Sequence, residues 1–204
     1  ADLGAFNRSL YEGPLVAITG SNGKTTAKNL ASGVLSRRGE TMATAGNYNN
    51  EIGVPLTLLR LSPAVRFAVV EMGAARVGDI AHLCRLGRPT VALLLNAMQA
   101  HLETFGTVED IARGKGEIFD GLREGDVAIV NADQVWAADW RARAGAATII
   151  DFGLREPAAV TARDFESWGN AGSRFMLVTP QGECPVELQL PGQHNLANAL
   201  AAAQ

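Results

Sequence analysis

The sequence predicts an α/β fold, namely a P-loop-type, mostly parallel sheet with helices on both faces and a small antiparallel β region towards the C-terminus. Apolar runs of strand length alternate with helical patterns over the first two thirds of the 204 residues, which is typical of strand–helix–strand units. After about residue 148 the segments become shorter and alternate between apolar and polar residues, which favours antiparallel hairpins.

Each element follows from its own stretch of sequence. The predicted buried strands are Leu15–Thr19, 41–45, Phe67–Glu71, 90–96 and 126–131. The predicted helices between and after them are 24–38, 54–61, 77–86, 107–122 and roughly 132–142. Towards the C-terminus, SRFMLVTP and ECPVELQL are divided by PQG and predict a hairpin, and a final helix begins near His194.

The composition describes a globular protein without a nucleic-acid or membrane surface. Hydrophobic residues make up 47% of the chain, the net charge is −3, and no apolar run is long enough to span a bilayer. The two cysteines, Cys84 and Cys184, have no metal-like spacing and fit a reducing compartment. The N-terminus has no signal-peptide pattern, so we expect a cytoplasmic protein with no membrane insertion and no nucleic-acid partner.

The stretch VAITGSNGKTTAK, residues 16–28, runs from a β-branched strand through glycines into a helix. Ile18 stands where the usual phosphate-loop pattern has its first glycine, but G-x-x-G-K-T-T remains. A strand–turn–helix corner with no ligand is the alternative, although such a corner does not need Lys-Thr-Thr. We predict that Lys24 contacts the β- and γ-phosphates and that Thr25 binds Mg²⁺. The predicted phosphate-binding residues are Gly20, Ser21, Asn22, Gly23, Lys24, Thr25 and Thr26.

Two further candidates follow strands whose carboxyl ends should meet at this edge of the sheet. Glu71 ends the strand in RFAVVEMG, where a carboxylate can hold magnesium, or it can simply start a loop and face solvent. His101 lies five residues beyond Asn96, at the end of another predicted strand. It is a candidate metal or phosphate ligand, although a lone loop histidine is more often structural.

Lys115 interrupts an apolar stripe in the helix predicted at 107–122. The stripe consists of Val108, Ile111, Ile118, Phe119 and Leu122. The opposite, polar face consists of Glu109, Asp110, Arg113, Glu117 and Asp120. A lysine directed towards a core is costly unless it is paired, so the position indicates a function. The alternative is that its long stem reaches solvent.

Two segments are rich in asparagine, TAGNYNNEIGVP after the second predicted strand and PGQHNLANAL at the start of the last helix. Their candidate residues are Asn47, Asn49, Asn50, His194, Asn195 and Asn198. A turn explains the first segment and an N-cap explains one residue of the second, but neither explains the whole cluster.

The chain resembles the Mur ligases through five motifs in the family's order and spacing. They are ITGSNGKTT, TAGNYNNEIGVPLTLL, VVEMGA, AHLETFGTVEDIARGKGEIF and LPGQHNLANALAAA. The resemblance runs from residue 16 to the C-terminus and implies the central ATP-binding domain of a three-domain enzyme. We therefore expect residues 1–14 to be the connection from an N-terminal UDP-binding domain and residues 15–204 to be the central domain, without the C-terminal domain.

The resemblance also implies roles for the candidate residues. Lys24, Glu71, His101 and Lys115 are implied to be catalytic, and His194, Asn195 and Asn198 are implied to lie near the adenine of ATP. Two Mg²⁺ sites would use Thr25, Glu71, His101 and Lys115, with Lys115 carbamylated. Asn47, Asn49 and Asn50 would face the muramoyl-peptide substrate. Gly114, where the family commonly has alanine, is a departure that we expect to leave the chemistry unaffected.

The implied reaction is ATP-dependent amide ligation in peptidoglycan precursor synthesis. The substrates would be UDP-N-acetylmuramoyl-tripeptide and D-Ala-D-Ala, joined through an acyl phosphate by a monomeric enzyme, and this part alone is expected to be nearly inactive. One alternative is an amide ligase of the folylpolyglutamate or cyanophycin type, which should differ in the segment 47–52. Another is a nucleotide-binding regulatory or scaffold module that has lost its catalytic partners, although the set Lys24, Glu71, His101 and Lys115 is intact.

Overall fold

The computed structural model describes residues 1–99 and 105–204 and contains a six-stranded parallel sheet. The strand order is β2-β3-β1-β4-β5-β6. The strands are β1 (Leu15–Thr19), β2 (Thr41–Ala43), β3 (Phe67–Glu71), β4 (Val91–Leu94), β5 (Val127–Asn131) and β6 (Thr148–Phe152). Every neighbouring pair is parallel, so all six carboxyl ends meet at one edge.

The predicted parallel sheet is confirmed, with one strand missed. β1 and β3 have the predicted bounds, whereas β2, β4 and β5 are shorter than predicted. β6 lies at the start of the region that we expected to be antiparallel, but it pairs in parallel with β5. Its side chains are exposed or half-buried except for Phe152, because β6 is the edge strand. It therefore lacks the continuous apolar run of a central parallel strand.

Seven α-helices lie in the described part of the chain. They are α1 (Asp2–Ser9), α2 (Lys24–Leu35), α3 (Gly53–Leu58), α4 (Asp79–Gly87), α5 (Val108–Gly116), α6 (Ala137–Arg143) and α7 (Gln193–Ala202). The helix predicted at 107–122 is instead two elements, since α5 ends at Gly116 and a 3₁₀ turn covers Glu117–Phe119. The helix predicted at 132–142 begins only at Ala137, since the residues before it form a turn.

The predicted antiparallel region is confirmed as a separate three-stranded sheet of β7 (Thr161–Ser167), β8 (Ser173–Thr179) and β9 (Gly182–Leu188). Phe175 and Leu188 pack with Phe152 and with α7 residues such as Leu196 in one apolar core. A second core lies around α3, α4, α5 and α6. The two clusters account for the alternation of apolar strands with amphipathic helices along the sequence, because helices cover both faces of the parallel sheet and each face has its own core.

Residues 2–9, expected to belong to a connecting segment, form a helix that packs closely on α3. A Cβ added to Gly4 would lie 2.7 Å from the carbonyl oxygen of Pro55, so the two helices approach to backbone contact. Asn7 donates hydrogen bonds to the carbonyl oxygens of Leu58 and Leu61 at 2.8 and 2.9 Å. In the described residues, no helix has the length and apolar character needed to cross a membrane.

Candidate functional site

Two cavities open at the carboxyl edge of the parallel sheet, and the start of α2 lies between them, with the loop before α2 bordering cavity 1 and Lys24 bordering cavity 2. Cavity 1, of about 630 Å³, is lined by the loop residues Asn22 and Gly23, by the ends of β4, β5 and β6, and by the start of α7. Cavity 2, of about 460 Å³, is lined by Lys24, by the segment 47–51 and by Lys115. The predicted site residues described by the structure therefore gather at the edge where parallel sheets bind ligands.

The loop before α2 is held rigidly and leaves the helix start uncapped. Ser21 and Asn22 donate backbone hydrogen bonds of 3.0 Å to the carbonyl and side-chain oxygens of Asn96, which follows β4. Gly23, at φ 84°, precedes the helix without a side-chain cap, and the first turn has no acidic residue. Unpaired N–H groups at a helix start and the positive end of its dipole attract an anion. This arrangement suits a phosphate.

Lys24 adds a positive charge to this helix start. Its Nζ donates hydrogen bonds to the carbonyl oxygens of Gly20 and Ser21 at 2.7 and 3.3 Å. Burial lowers the pKa of Lys24, and the carboxylate of Glu71 partly opposes that shift. A cation at a helix N-terminus is unfavourable by itself, because it faces the positive end of the dipole. A bound anion would offset both charges.

Glu71 is buried, with 2% of its surface exposed, so the solvent-facing alternative is wrong. Its two carboxylate oxygens accept hydrogen bonds from Thr25 Oγ1 at 2.9 Å and from Asn49 Nδ2 at 2.7 Å. The carboxylate therefore joins α2 to the asparagine segment. A hydroxyl and a carboxylate that touch each other are suitable ligands for Mg²⁺, which takes its remaining ligands from phosphate and water.

Sequence reasoning missed a buried lysine behind this carboxylate. Lys28 lies one helical turn after Lys24 and donates a hydrogen bond of 2.9 Å to the carbonyl oxygen of Thr44. The hydroxyl of Thr44 accepts the backbone N–H of Glu71 at 2.9 Å. Lys28 thus helps to fix the strand ends that carry Glu71. Its spacing of four residues from Lys24 was the available signal, since residues at that spacing share a helix face.

Lys115 is buried, with 2% of its surface exposed, so the alternative in which it reaches solvent is wrong. It borders cavity 2, and its Nζ lies 5.8 Å from the ring centre of Phe105. Burial, together with the nearby charge of Lys24, lowers the pKa of Lys115 to about 8. A substantial fraction of a neutral, nucleophilic amine is therefore present at mildly alkaline pH.

The polar face predicted around Lys115 contains one error. Glu117 is buried rather than solvent-facing, because the chain tightens into a 3₁₀ turn there and rotates the side chain inwards. Its carboxylate accepts hydrogen bonds from the backbone N–H groups of Gly78 and Ala81 at 2.7 and 3.0 Å. Glu117 therefore caps the start of α4 from another element, which fixes α4 against α5 beside cavity 2.

The asparagine segment contributes three different contacts. Asn49 binds Glu71 and lines cavity 2. Asn50 also lines this cavity, but its side-chain oxygen accepts the N–H groups of Ile52 and Gly53 at 3.2 and 2.8 Å, which starts α3. Asn47 is exposed at the cavity mouth. The turn explanation therefore accounts for Asn50 and leaves the other two available to a ligand.

The residues near the start of α7 meet the loop before α2 at cavity 1. Asn198 packs against Gly23, where an added Cβ would lie 2.4 Å from the Asn198 side-chain oxygen. Asn195 donates to the carbonyl of Pro191 at 2.8 Å and accepts from Asn198 at 3.2 Å. His194 is exposed and lines the cavity. His194 and Asn198 thus border cavity 1, whereas Asn195 acts by holding Asn198.

His101 lies outside the described residues, so the structure places three of the four residues implied to be catalytic. Among residues 1–99 and 105–204, no group of three or more histidine, cysteine or acidic side chains is arranged to hold a metal ion. The oxygen donors that fit magnesium there are those of Thr25 and Glu71.

Cavity 1 also has a wall that sequence reasoning missed. The wall consists of Asn131, Asp133, Gln134, Phe152, Leu154 and Arg155. Asn131 donates to the carbonyl of Leu95 at 2.7 Å, and Gln134 accepts the N–H of Ala97 at 3.0 Å. These bonds join the ends of β4 and β5. The signal was the polar NADQ at the end of a predicted strand, but the far side of the cavity depends on β6, which was not predicted.

Known proteins resemble this chain closely. The model of the Mur ligase middle domain matches residues 18–204. The UDP-N-acetylmuramoyl-tripeptide–D-alanyl-D-alanine ligase of Escherichia coli K12 is 45% identical over 206 residues, which cover 99% of this chain and 45% of that protein. This chain thus spans about half the length of the curated relatives that it matches.

Two solved structures have the same fold over 98% of this chain. A crystal structure of MurF from Acinetobacter baumannii has a TM-score of 0.94 and 39% identity, and the match covers 44% of its chain. The MurF ligase from Thermotoga maritima in complex with ADP has a TM-score of 0.85 and 31% identity, and the match covers 46% of its chain. With a family model that matches nearly every residue, this chain belongs to the Mur ligase family.

Proposed function

We propose that this chain is the ATP-binding part of an amide ligase that adds D-Ala-D-Ala to UDP-N-acetylmuramoyl-tripeptide in the cytoplasm. The observation that carries the proposal is that Lys24 of the phosphate loop and the buried Lys115 border one cavity beside Glu71. The names of the related ligases support the choice of substrates. The proposed organisation is a central domain at residues 15–204, preceded by a connection, in a monomeric enzyme.

ATP would bind with its phosphates at the start of α2 and its nucleoside in cavity 1. The rigid loop, the uncapped N–H groups and Lys24 support the phosphate end. Lys24 would exchange its hydrogen bonds with Gly20 and Ser21 for bonds to phosphate oxygens. The relative from Thermotoga maritima was solved in complex with ADP, which agrees with this use of the fold.

Magnesium would be held by Thr25 and Glu71, with His101 and carbamylated Lys115 proposed for a second ion. The ions would neutralise phosphate charge during transfer to the tripeptide carboxylate. Glu71 is already oriented by Thr25 and Asn49, so it needs little rearrangement to bind a cation. Asn47, Asn49 and Asn50 would face the muramoyl peptide in cavity 2.

The reaction would have two steps at cavity 2. The terminal carboxylate of the tripeptide attacks the γ-phosphorus of ATP, and ADP leaves, which gives an acyl phosphate. The free amine of D-Ala-D-Ala then attacks the acyl carbon, and phosphate leaves as the amide forms. Both steps concentrate negative charge, which the Lys24 cation and the helix start would stabilise.

Lys115 is proposed to carry a carbamate. Its neutral amine would attack CO₂, lose a proton and become an anion with two oxygens, which replaces a costly buried cation. Lys115→Ala should lose nearly all turnover and recover part of it with added acetate. Lys115→Arg should also lose nearly all turnover, because arginine keeps the charge but cannot form this carbamate. Normal turnover of Lys115→Arg would contradict the carbamate.

The function is tested by replacing the matching 45% of the E. coli relative with this chain. We expect the chimera to convert UDP-N-acetylmuramoyl-tripeptide, D-Ala-D-Ala and ATP into the pentapeptide product and ADP, as measured by mass spectrometry. The matched control is the same chimera with Lys24→Ala, which should melt at a similar temperature but form almost no product. A folded chimera that binds ATP and makes no amide would refute the proposed function.

A further inference from the structure

The turn that follows β6 is wrapped around a single carboxylate. Asp133 lies two residues after β5, and its side chain accepts hydrogen bonds from the backbone N–H groups of Leu154, Arg155 and Glu156, each at 2.9 Å. A Cβ added to Gly153 would lie 3.0 Å from the same carboxylate, so the chain passes very close to it. Three donors on one carboxylate fix the backbone of this turn.

Asp133 stays ionised in this position. Its side chain is 10% exposed, and burial alone would raise its pKa. The three backbone hydrogen bonds and the neighbouring Arg155 outweigh burial, so the pKa of Asp133 lies below its ordinary value. The turn is therefore held by a charged group at neutral pH. A surface turn does not require this, since water can satisfy exposed N–H groups.

The fixed turn presents Arg155 to cavity 1. Its side chain is 77% exposed, and its Nε lies 3.9 Å from Asp133 Oδ2, so the ion pair is loose and the guanidinium plane stays accessible. Arg155 lines the cavity together with Asn22 and Gly23 of the phosphate loop. A nucleotide with its phosphates at that loop would extend its nucleoside towards the wall that carries Arg155.

We propose that Arg155 recognises the nucleoside by stacking its guanidinium on the purine base, and that Asp133 is the residue that positions it. This inference rests on the proposed nucleotide-binding function and assigns its base-recognition residue. A planar guanidinium stacks on an aromatic ring and is attracted to its π face, whereas an ammonium group provides no such plane. The turn fixed by Asp133 lowers the ordering cost of placing the arginine there.

The test compares a ligand that has a nucleoside, ADP, with a phosphate chain that has none, inorganic tripolyphosphate, by titration calorimetry with Mg²⁺. We expect Arg155→Ala to weaken ADP binding on the order of tenfold and to leave tripolyphosphate binding unchanged. Arg155 is exposed, so this substitution should not disturb folding. Lys24→Ala should weaken the binding of both ligands.

Three further variants sharpen the result. Arg155→Lys should weaken ADP binding as much as Arg155→Ala does. Lysine keeps the positive charge, but it has no guanidinium plane that can stack on the base. Asp133→Asn should weaken ADP binding and leave tripolyphosphate binding unchanged, because an asparagine side chain cannot accept hydrogen bonds from all three N–H groups. Arg123→Ala is the matched control, since Arg123 is an exposed arginine beside a different cavity and should change neither affinity.

The outcomes separate this inference from the proposed function. Unchanged ADP affinity in Arg155→Ala, or an equal loss for both ligands, would overturn the role of Arg155 while nucleotide binding stands. Full ADP affinity in Arg155→Lys would overturn the stacking. If the wild-type chain bound neither ligand, the proposed function would fail, and the assignment of Arg155 would fail with it.

Discussion

Helices α2 and α5 both carry a lysine of the candidate site, but they begin in opposite ways. α2 begins after Gly23, with no side-chain cap and no acidic residue in its first turn. α5 begins after Thr107, whose hydroxyl accepts the N–H of Asp110 at 3.0 Å, and its first turn contains Glu109 and Asp110. Helix α5 thus has a side-chain cap at its start, whereas α2 has none and its start is suited to an anion.

The two lysines therefore lie in different electrostatic environments on their helices. Lys24 acts from the positive end of its helix, where its charge is unfavourable until an anion binds. Lys115 lies in the last turn of α5, where the helix dipole favours a cation but burial lowers its pKa to about 8. The first residue is thus suited to binding phosphate and the second to a change of charge state.

The largest expected effect in this comparison concerns Lys115→Met, which keeps an unbranched side chain and removes the buried amine. At pH 7 in CO₂-free buffer, we expect the free energy of unfolding to rise by up to about 3 kcal/mol, since the folded pKa of about 8 lies below the ordinary lysine value of 10.5. Urea denaturation measures the change.

The pH dependence of this variant follows from the direction of the shift. The unfolded chain binds more protons than the folded chain between pH 8 and 10.5, so wild-type stability rises with pH across that window. The advantage of Lys115→Met is therefore full below about pH 8 and shrinks towards pH 10.5. A variant that is less stable than wild type at pH 7 would mean that the amine has a stabilising partner.

The second effect concerns Lys24→Ala, which should weaken the affinity for ATP·Mg²⁺ on the order of a hundredfold. The free energy of unfolding should change by less than about 1 kcal/mol, because Lys24 fills no core cavity and its charge opposes the helix dipole. Calorimetric titration and urea denaturation of the same preparation measure the two quantities. A collapse in stability with retained ATP affinity would refute the phosphate-loop assignment.

The same contrast explains what the sequence could predict. The loop around Lys24 is local, since strand, glycines and helix start are contiguous, and its bounds were predicted almost to the residue. Lys115 was found because it breaks the 3.6-residue period of an apolar stripe. The fold class and the shared edge of the sheet followed from strand–helix alternation, which also placed Glu71 correctly.

The rest depended on contacts that no local pattern encodes. Glu117 was assigned to the exposed face, because helical periodicity assumes that the helix continues, whereas the chain tightens into a 3₁₀ turn and caps α4. β6 was missed because its side chains before Phe152 are exposed or half-buried, so it lacks the continuous apolar run of a central parallel strand. Without β6, the wall formed by Asp133 and Arg155 could not be placed, since their contact joins the ends of two strands.

The smallest effect tests the other helix start. Thr107→Ala removes the side-chain cap of α5, so the N–H of Asp110 loses its acceptor, and the Thr107 hydroxyl no longer donates to the Asp110 carboxylate at 2.8 Å. We expect the free energy of unfolding to fall by about 1 kcal/mol, as measured by urea denaturation. The affinity for ATP·Mg²⁺ should stay unchanged, because this helix start is already satisfied and faces no phosphate.

Thr107→Ser is the matched control and should retain most of the stability, since serine caps at least as well as threonine. Lys24→Ala should thus lose affinity with little loss of stability, and Thr107→Ala should do the reverse. A loss of ATP affinity in Thr107→Ala at unchanged stability would mean that α5 also binds the nucleotide through its start, and the distinction between the two helices would fail.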